Sequence, residues 1–234
     1  MNNYCVLVVG LSLLSFNANA SWYGGINLGV NTVNVDKKIT YPLGDLLITS
    51  QDFNSGYTGF HGQLMAGYTF LFTEQLGLSV EGNADLFTGE ADHTIDNWFF
   101  STAAQTEEKL KYGFSLFALP EYYYNEKVHF FVGPGISSSK FEINSGNTAG
   151  NVGVTGNYDK WLTGWGLKAG VATALTSNAE ILLTYQFTQY EGVSWTNVEP
   201  LSGELVSGRY KPQANLFMVG LKMSFPEFQK VQEK

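Results

Sequence analysis

Acid–base or nucleophilic chemistry in this chain would have to start from three histidines, His61, His93 and His129. A lipid hydrolase needs a serine or its equivalent activated by a nearby histidine, itself oriented by an acid. Neither His61 nor His129, read as strand residues, nor His93, read as a loop residue, comes with such a set, so no catalytic residue and no enzyme are expected. The acids Glu90, Asp92 and Asp96 could gather round a divalent cation, but they lack the ligand order of a calcium loop, and a solvated acidic loop is the expectation. No metal site and no cofactor are therefore expected. What remains is a set of charges that share strand faces with polar residues: Glu81, Asp85, Glu121 and Glu180 against Lys168 and Lys222.

Those charges need alternating strands to bring them together. Successive strand side chains point to opposite sides, and a period of two recurs along the chain in about eight segments. In Trp22–Val35 the residues Trp22, Ile26, Leu28 and Val30 alternate with Tyr23, Asn27 and Asn31. Thr58–Phe72 and a segment starting at Leu76 form the clearest hairpin, across Thr73-Glu74-Gln75. Further segments run over Lys111–Tyr124, Val128–Phe141, Leu162–Leu175 and Glu180–Thr188, and the last over Lys211–Phe225. Pro120 and Pro134 remove ladder donors, so each calls for a local bulge or bend.

Composition fits such strands in a membrane. Aromatic residues make up 15% and glycines number 26, as expected of β-structure with aromatic girdles. Hydrophobic residues are 44% and mean hydropathy is −0.07, because alternation hides a membrane barrel's greasy face in the average. A net charge of −8 disfavours nucleic acid as a partner, since that needs a basic footprint.

Met1–Ala20 carries no charged side chain and runs through an apolar core, Tyr4–Leu14, to Ala18-Asn19-Ala20. This is the pattern of a signal peptide with a small-x-small cleavage site, although its usual positive start is missing. The single cysteine, Cys5, falls within it, so an exported product has no disulfide to stabilise it. The domain reading is a signal peptide over 1–20, a barrel over 21–225 and a short tail over 226–234.

Long polar segments near Asp36–Tyr57, Glu90–Leu110, Glu142–Trp161 and Ser194–Tyr210 alternate with three short turns. The fold expected is all-β: an eight-stranded antiparallel transmembrane β-barrel with short periplasmic turns and four long extracellular loops. Both termini then lie in the periplasm. Inside it, Glu81, Asp85, Glu121, Lys168, Glu180 and Lys222 are expected to form an ion-pair network, because isolated charges in so narrow a space are costly. Eight strands leave an interior just wide enough for side chains, so a polar plug is expected in preference to an ion path. The loop triplet Trp98-Phe99-Phe100 could dock a partner, cap the mouth or anchor at the membrane interface.

The signal peptide, WYGGINLGVN after it, GYTF at Gly67–Phe70, and a last strand that carries Gly220 and ends on Phe225 together resemble the small OmpA-like outer-membrane β-barrel family. The resemblance implies a bacterial outer-membrane location and contact with outer-membrane lipid and lipopolysaccharide. It also implies that Gly220, Met223 and Phe225 belong to a signal read by the outer-membrane insertion machinery, with Phe217 where a polar residue is more usual. A structural or surface-interaction role through the extracellular loops, toward a host surface or an extracellular ligand, is the leading expectation. A narrow porin-like channel is the alternative, with a lipid A-modifying enzyme behind it. A soluble exported barrel would want an apolar interior and a polar exterior, the reverse of the faces read here.

Overall fold

The computed structural model describes residues 20–43, 47–97, 102–147, 156–198 and 205–226. The triplet Trp98-Phe99-Phe100, most of Met1–Ala20 and the tail after Pro226 lie outside the described residues.

Among the described residues the strands are β1 (Ala20–Leu43), β2 (Leu47–Leu71), β3 (Leu76–Phe87), β4 (Ala91–Asn97), β5 (Thr102–Tyr123), β6 (Val128–Asn147), β7 (Gly156–Ala174), β8 (Ala179–Tyr190), β9 (Val193–Val198) and β10 (Leu205–Pro226). Every ladder is antiparallel, and β1 pairs with β10 from Ser21↔Pro226 to Thr40↔Ser207, which closes the sheet. β4 prolongs β3 along the same edge of β5, from Leu86↔Tyr112 to Ala91↔Glu108. β9 prolongs β8 along β10 in the same way, from Gln189↔Gln213 to Val193↔Tyr210. The molecule is therefore an eight-stranded barrel in which two wall strands are each broken once.

The three short turns share one device. Thr73 Oγ1 accepts from the amides of Gln75 (3.2 Å) and Leu76 (3.0 Å), and Thr176 Oγ1 does the same for Asn178 (3.3 Å) and Ala179 (3.1 Å). Asn125 Oδ1 plays that part for Lys127 (2.8 Å) and Val128 (2.9 Å). A short polar side chain at the first turn position satisfies amides that the reversing backbone leaves without partners.

Alternation sorts the two faces as the sequence reading has them. Trp22, Leu64, Phe114, Val132, Trp165, Leu183 and Phe217 point outward and are exposed, in a belt of apolar side chains round the barrel. Pro120 and Pro134 also point outward. The β5–β6 pairs between Phe117↔Gly135 and Glu121↔Phe131 drop out at these prolines, while the bulge itself lies between Leu110 and Gly113.

The expectation of long loops is corrected. Most of Asp36–Tyr57, Glu90–Leu110, Glu142–Trp161 and Ser194–Tyr210 is strand, so the barrel wall rises well beyond the apolar belt as a crown of hairpins. His93 accordingly lies on β4 and not in a loop. The alternation persists there: Val33, Val35 and Lys37 are buried inward, whereas Asp36 and Lys38 are exposed outward. Where water replaces lipid outside, the outer face turns polar, and hydropathy then reads a strand as a loop.

Where the crown meets the belt, the lumen is lined mostly by apolar side chains. Val33, Val35, Leu110, Phe141, Leu162, Leu216 and Met218 form the heart of one buried cluster, each at 0–1% exposure. A smaller cluster, with Met65, Phe117, Leu119 and Phe131, sits among the polar residues nearer the short turns.

Candidate functional site

Inward positions of β1, β2, β3 and β7 build the centre of the lumen. Lys168 Nζ donates to Glu81 Oε1 at 2.6 Å and to Gln63 Oε1 at 3.0 Å, with both charged side chains essentially out of solvent. Asn27 Nδ2 reaches the same Gln63 oxygen at 2.7 Å, and Gln63 Nε2 donates to Asp85 Oδ1 at 2.7 Å. The Lys168 ammonium also lies 5.7 Å from the centre of the Phe117 ring. Such a pair is tolerated in a narrow interior because its remaining donors and acceptors are met.

Nearer the short turns, Lys222 Nζ lies 2.6 Å from Glu180 Oε2, with β8 and β10 setting the two opposite each other at Lys222↔Glu180. Tyr23 joins this pair to the central one. Its hydroxyl donates to Glu81 Oε2 at 3.0 Å and its ring lies 4.9 Å from Lys222 Nζ. His129 stacks on Tyr123 with ring centres 4.7 Å apart, and its Nδ1 lies 3.6 Å from Glu180 Oε1.

Asp85 and Glu121 lie inward with the others, but no lysine holds them. Ser79 Oγ and Tyr123 Oη donate to Glu121, each at 2.6 Å. Asp85 takes Ser115 Oγ at 3.0 Å besides Gln63, and His61 Nε2 stands 3.3 Å away. Serine, histidine and acid do meet here, yet the serine is bonded to the acid and not to the histidine. That wiring cannot activate the hydroxyl as a nucleophile. Of the acids in this region, Glu90 lies 3.6 Å from Lys109, and among the described residues no three acids, histidines or cysteines are grouped as a metal would require.

Above the polar network comes the apolar cluster, and above that a second buried pair, which sequence reading missed. Lys37 Nζ lies 2.6 Å from Glu108 Oε1, with neither side chain in contact with solvent. Ser55 Oγ donates to Glu108 Oε2 at 3.3 Å, and Tyr57 Oη accepts from the amide of Leu110 at 2.7 Å. Burial pushes the Glu108 carboxyl up and the Lys37 ammonium down from their ordinary ranges, and the charge of each partner opposes the other's shift. Both residues fall in segments expected from the sequence to be loops, Asp36–Tyr57 and Glu90–Leu110. Continuing the odd-numbered inward series of β1 through Val33 and Val35 would have reached Lys37.

On the closing strand, Gly220 is inward, where a Cβ would stand 1.7 Å from Asn27 Oδ1. Its lack of a side chain makes room for Asn27. Met223 and Phe225 point outward, and Phe225 lies opposite Trp22.

A closed antiparallel barrel with an apolar belt outside and buried charges inside is the architecture of a protein that crosses a membrane with strands; among the described residues no helix is long and apolar enough to cross one. The chain belongs to the family of the outer membrane protein β-barrel domain, whose model matches residues 4–225, and this places it in the bacterial outer membrane. Among solved structures it is similar to the outer membrane protease OmpT from Escherichia coli, at 10% identity and a TM-score of 0.50, over 92% of this chain and 99% of that one. It is also similar to OprG from Pseudomonas aeruginosa, at 16% identity and a TM-score of 0.48, over 86% and 95% of the two chains. Neisserial surface protein A is a third, at 16% identity and a TM-score of 0.44, over 88% and 99%. These likenesses concern the fold alone. A comparison with curated proteins finds no match.

Proposed function

We propose that this is an integral outer-membrane barrel with a filled lumen, acting through the crown that it holds above the membrane. In this reading the short turns and both termini face the periplasm, and the crown faces outward as the surface for contact with an extracellular ligand or a host. Outer-membrane lipid and lipopolysaccharide surround the apolar belt, and Gly220, Met223 and Phe225 serve assembly by the insertion machinery.

One observation carries the reading. Between the polar network and the Lys37–Glu108 pair, Leu110, Phe141, Leu162, Leu216 and Met218 fill the lumen at 0–1% exposure each. An ion leaving water for that layer would exchange its hydration for aliphatic and aromatic side chains and a few hydroxyls, such as Ser139 and Tyr190, which are already bonded to each other at 2.8 Å. The alternative is a narrow channel, favoured by the polar side chains that line the other half of the lumen, from Glu180 to Asp85. The reading does not call on catalysis.

The test is to replace the β1–β2 part of the crown, residues 38–52, by a two-residue Asn-Gly turn and to compare attachment of bacteria bearing each form to epithelial cells. Loss of attachment, with heat-modifiable migration kept, is expected. Unchanged attachment together with swelling of liposomes in small sugars would support the channel instead.

A further inference from the structure

The wall of the barrel is not continuous all the way up; it parts at two seams, each ended by a dedicated side chain. At the β2/β3 seam, Thr88 N donates to Phe60 O at 2.9 Å, and Thr88 Oγ1 accepts from Phe60 N at 2.7 Å. The chain then turns away through Gly89, at φ +92°. At the β7/β8 seam, Glu191 N donates to Thr163 O at 2.8 Å, and Glu191 Oε1 accepts from Thr163 N at 3.2 Å. In both, a side chain satisfies the amide that the next rung of the ladder would have used.

Above the seams the crown is two leaves, β9–β10–β1–β2 and β4–β5–β6–β7. The β2/β4 side is laced by the Lys37–Glu108 pair, by Ser55 to Glu108, and by Tyr57 to the amide of Leu110. The β7/β9 side differs. Among the described residues, no backbone hydrogen bond joins β9 to β7 above Glu191. Lys160, set opposite the buried Phe141, is exposed, as expected where the neighbouring wall is missing.

A free strand edge is a row of unmet amides and carbonyls, and proteins guard such edges with charge or proline. Three crown edges are guarded: β2 carries Asp52, β4 carries Asp92 and Asp96, and the upper part of β7 carries Asp159 and Lys160. The fourth, β9, reads Val193-Ser194-Trp195-Thr196-Asn197-Val198, with neither charge nor proline.

We propose that the free edge of β9 is a docking site for an extended polypeptide segment, which adds to the β9–β10–β1–β2 leaf as one more strand. The proposal rests on the reading that the crown faces outward. A second copy of the chain is the wrong occupant. Barrel strands tilt by roughly 35–45°, so the β9 strands of two upright copies in one membrane would cross at about 70–90° and share no ladder. The pattern of β9 indicates the side chains of the occupant. Val193 is buried in the apolar cluster while Ser194 and Thr196 are exposed, so the incoming strand alternates apolar residues facing the crown's interior with hydroxyl residues facing water.

The experiment uses the full protein in lipid nanodiscs and a fluorescein-labelled decapeptide of alternating threonine and valine. The expected result is saturable binding, at least tenfold weaker for the same peptide N-methylated at alternate residues, together with slowed amide exchange over Val193–Val198. No saturable binding, equal binding of the N-methylated peptide, or binding without protection of β9 overturns the proposal. In parallel, Thr196→Cys is made with Cys5→Ser, which removes the only native thiol, and intact cells are treated with a membrane-impermeant maleimide. Labelling without peptide binding defeats the edge proposal alone. Absence of labelling on cells, with labelling in nanodiscs, defeats the outward-facing crown on which it rests.

Discussion

Lys37 and Glu108 stand on opposite leaves of the crown, one on β1 and one on β5, and meet at 2.6 Å in a space that excludes water. The pair fastens a split wall on the side where the sheet has lost its backbone ladder. Removing one partner takes the opposite charge away from the other in a buried setting. Lys37→Met or Glu108→Leu alone is expected to cost about 3–5 kcal/mol, while the double substitution returns to within about 1 kcal/mol of the parent or exceeds it. Urea unfolding in lipid vesicles measures this, and additive losses in the double variant would contradict it.

Lys168 and Glu81 make the same kind of pair, but within a hydrogen-bonded network and not between two leaves. Lys168→Met should again cost about 3–5 kcal/mol. The exchange of the two, Glu81→Lys with Lys168→Glu, should recover only part of the loss. Gln63 and Tyr23 are placed for the native polarity, with the Tyr23 hydroxyl donating to the carboxylate. A full recovery would show that the surrounding groups do not matter.

Gly220 separates two accounts of the closing strand. If its role is packing, Gly220→Ala is harmful because of Asn27, at 1.7 Å from the added Cβ, and Ile26 O, at 2.8 Å. The expected loss is about 1–3 kcal/mol, as for other overpacked sites. Adding Asn27→Ala should relieve much of it, read as the folded fraction by heat-modifiable migration. A defect unchanged by Asn27→Ala would favour recognition of the glycine during insertion.

The seams give a smaller, local effect. Thr88→Val removes the hydroxyl that accepts from the Phe60 amide, and should cost about 1–2 kcal/mol. Amide exchange at Phe60 should quicken while that at Thr163, on the other seam, stays as it was.

Parity made much of this legible in the sequence. Inside and outside follow from odd and even positions once a strand is recognised, so the inward placement of Glu81, Lys168, Glu180 and Lys222 and the pairing of β1 with β10 could be read directly. Partners were less legible. Asp85 and Glu121 took hydroxyl, amide and histidine neighbours from adjacent strands, because register decides which side chains meet and composition does not. The crown was hidden altogether. Its outer face is as polar as a loop's, and the period of two at Phe141 and Leu216 shows which face each takes but not that they meet in mid-lumen. Tyr23, which ties the two lower ion pairs together, carries no charge to draw notice.

The filled lumen is the central claim, and single-channel recording in planar bilayers tests it most directly. The parent protein should show no discrete openings, whereas a variant with Leu110, Phe141 and Leu216 all changed to serine should conduct. Stable, selective openings of the parent protein, recorded without those substitutions, would contradict the account.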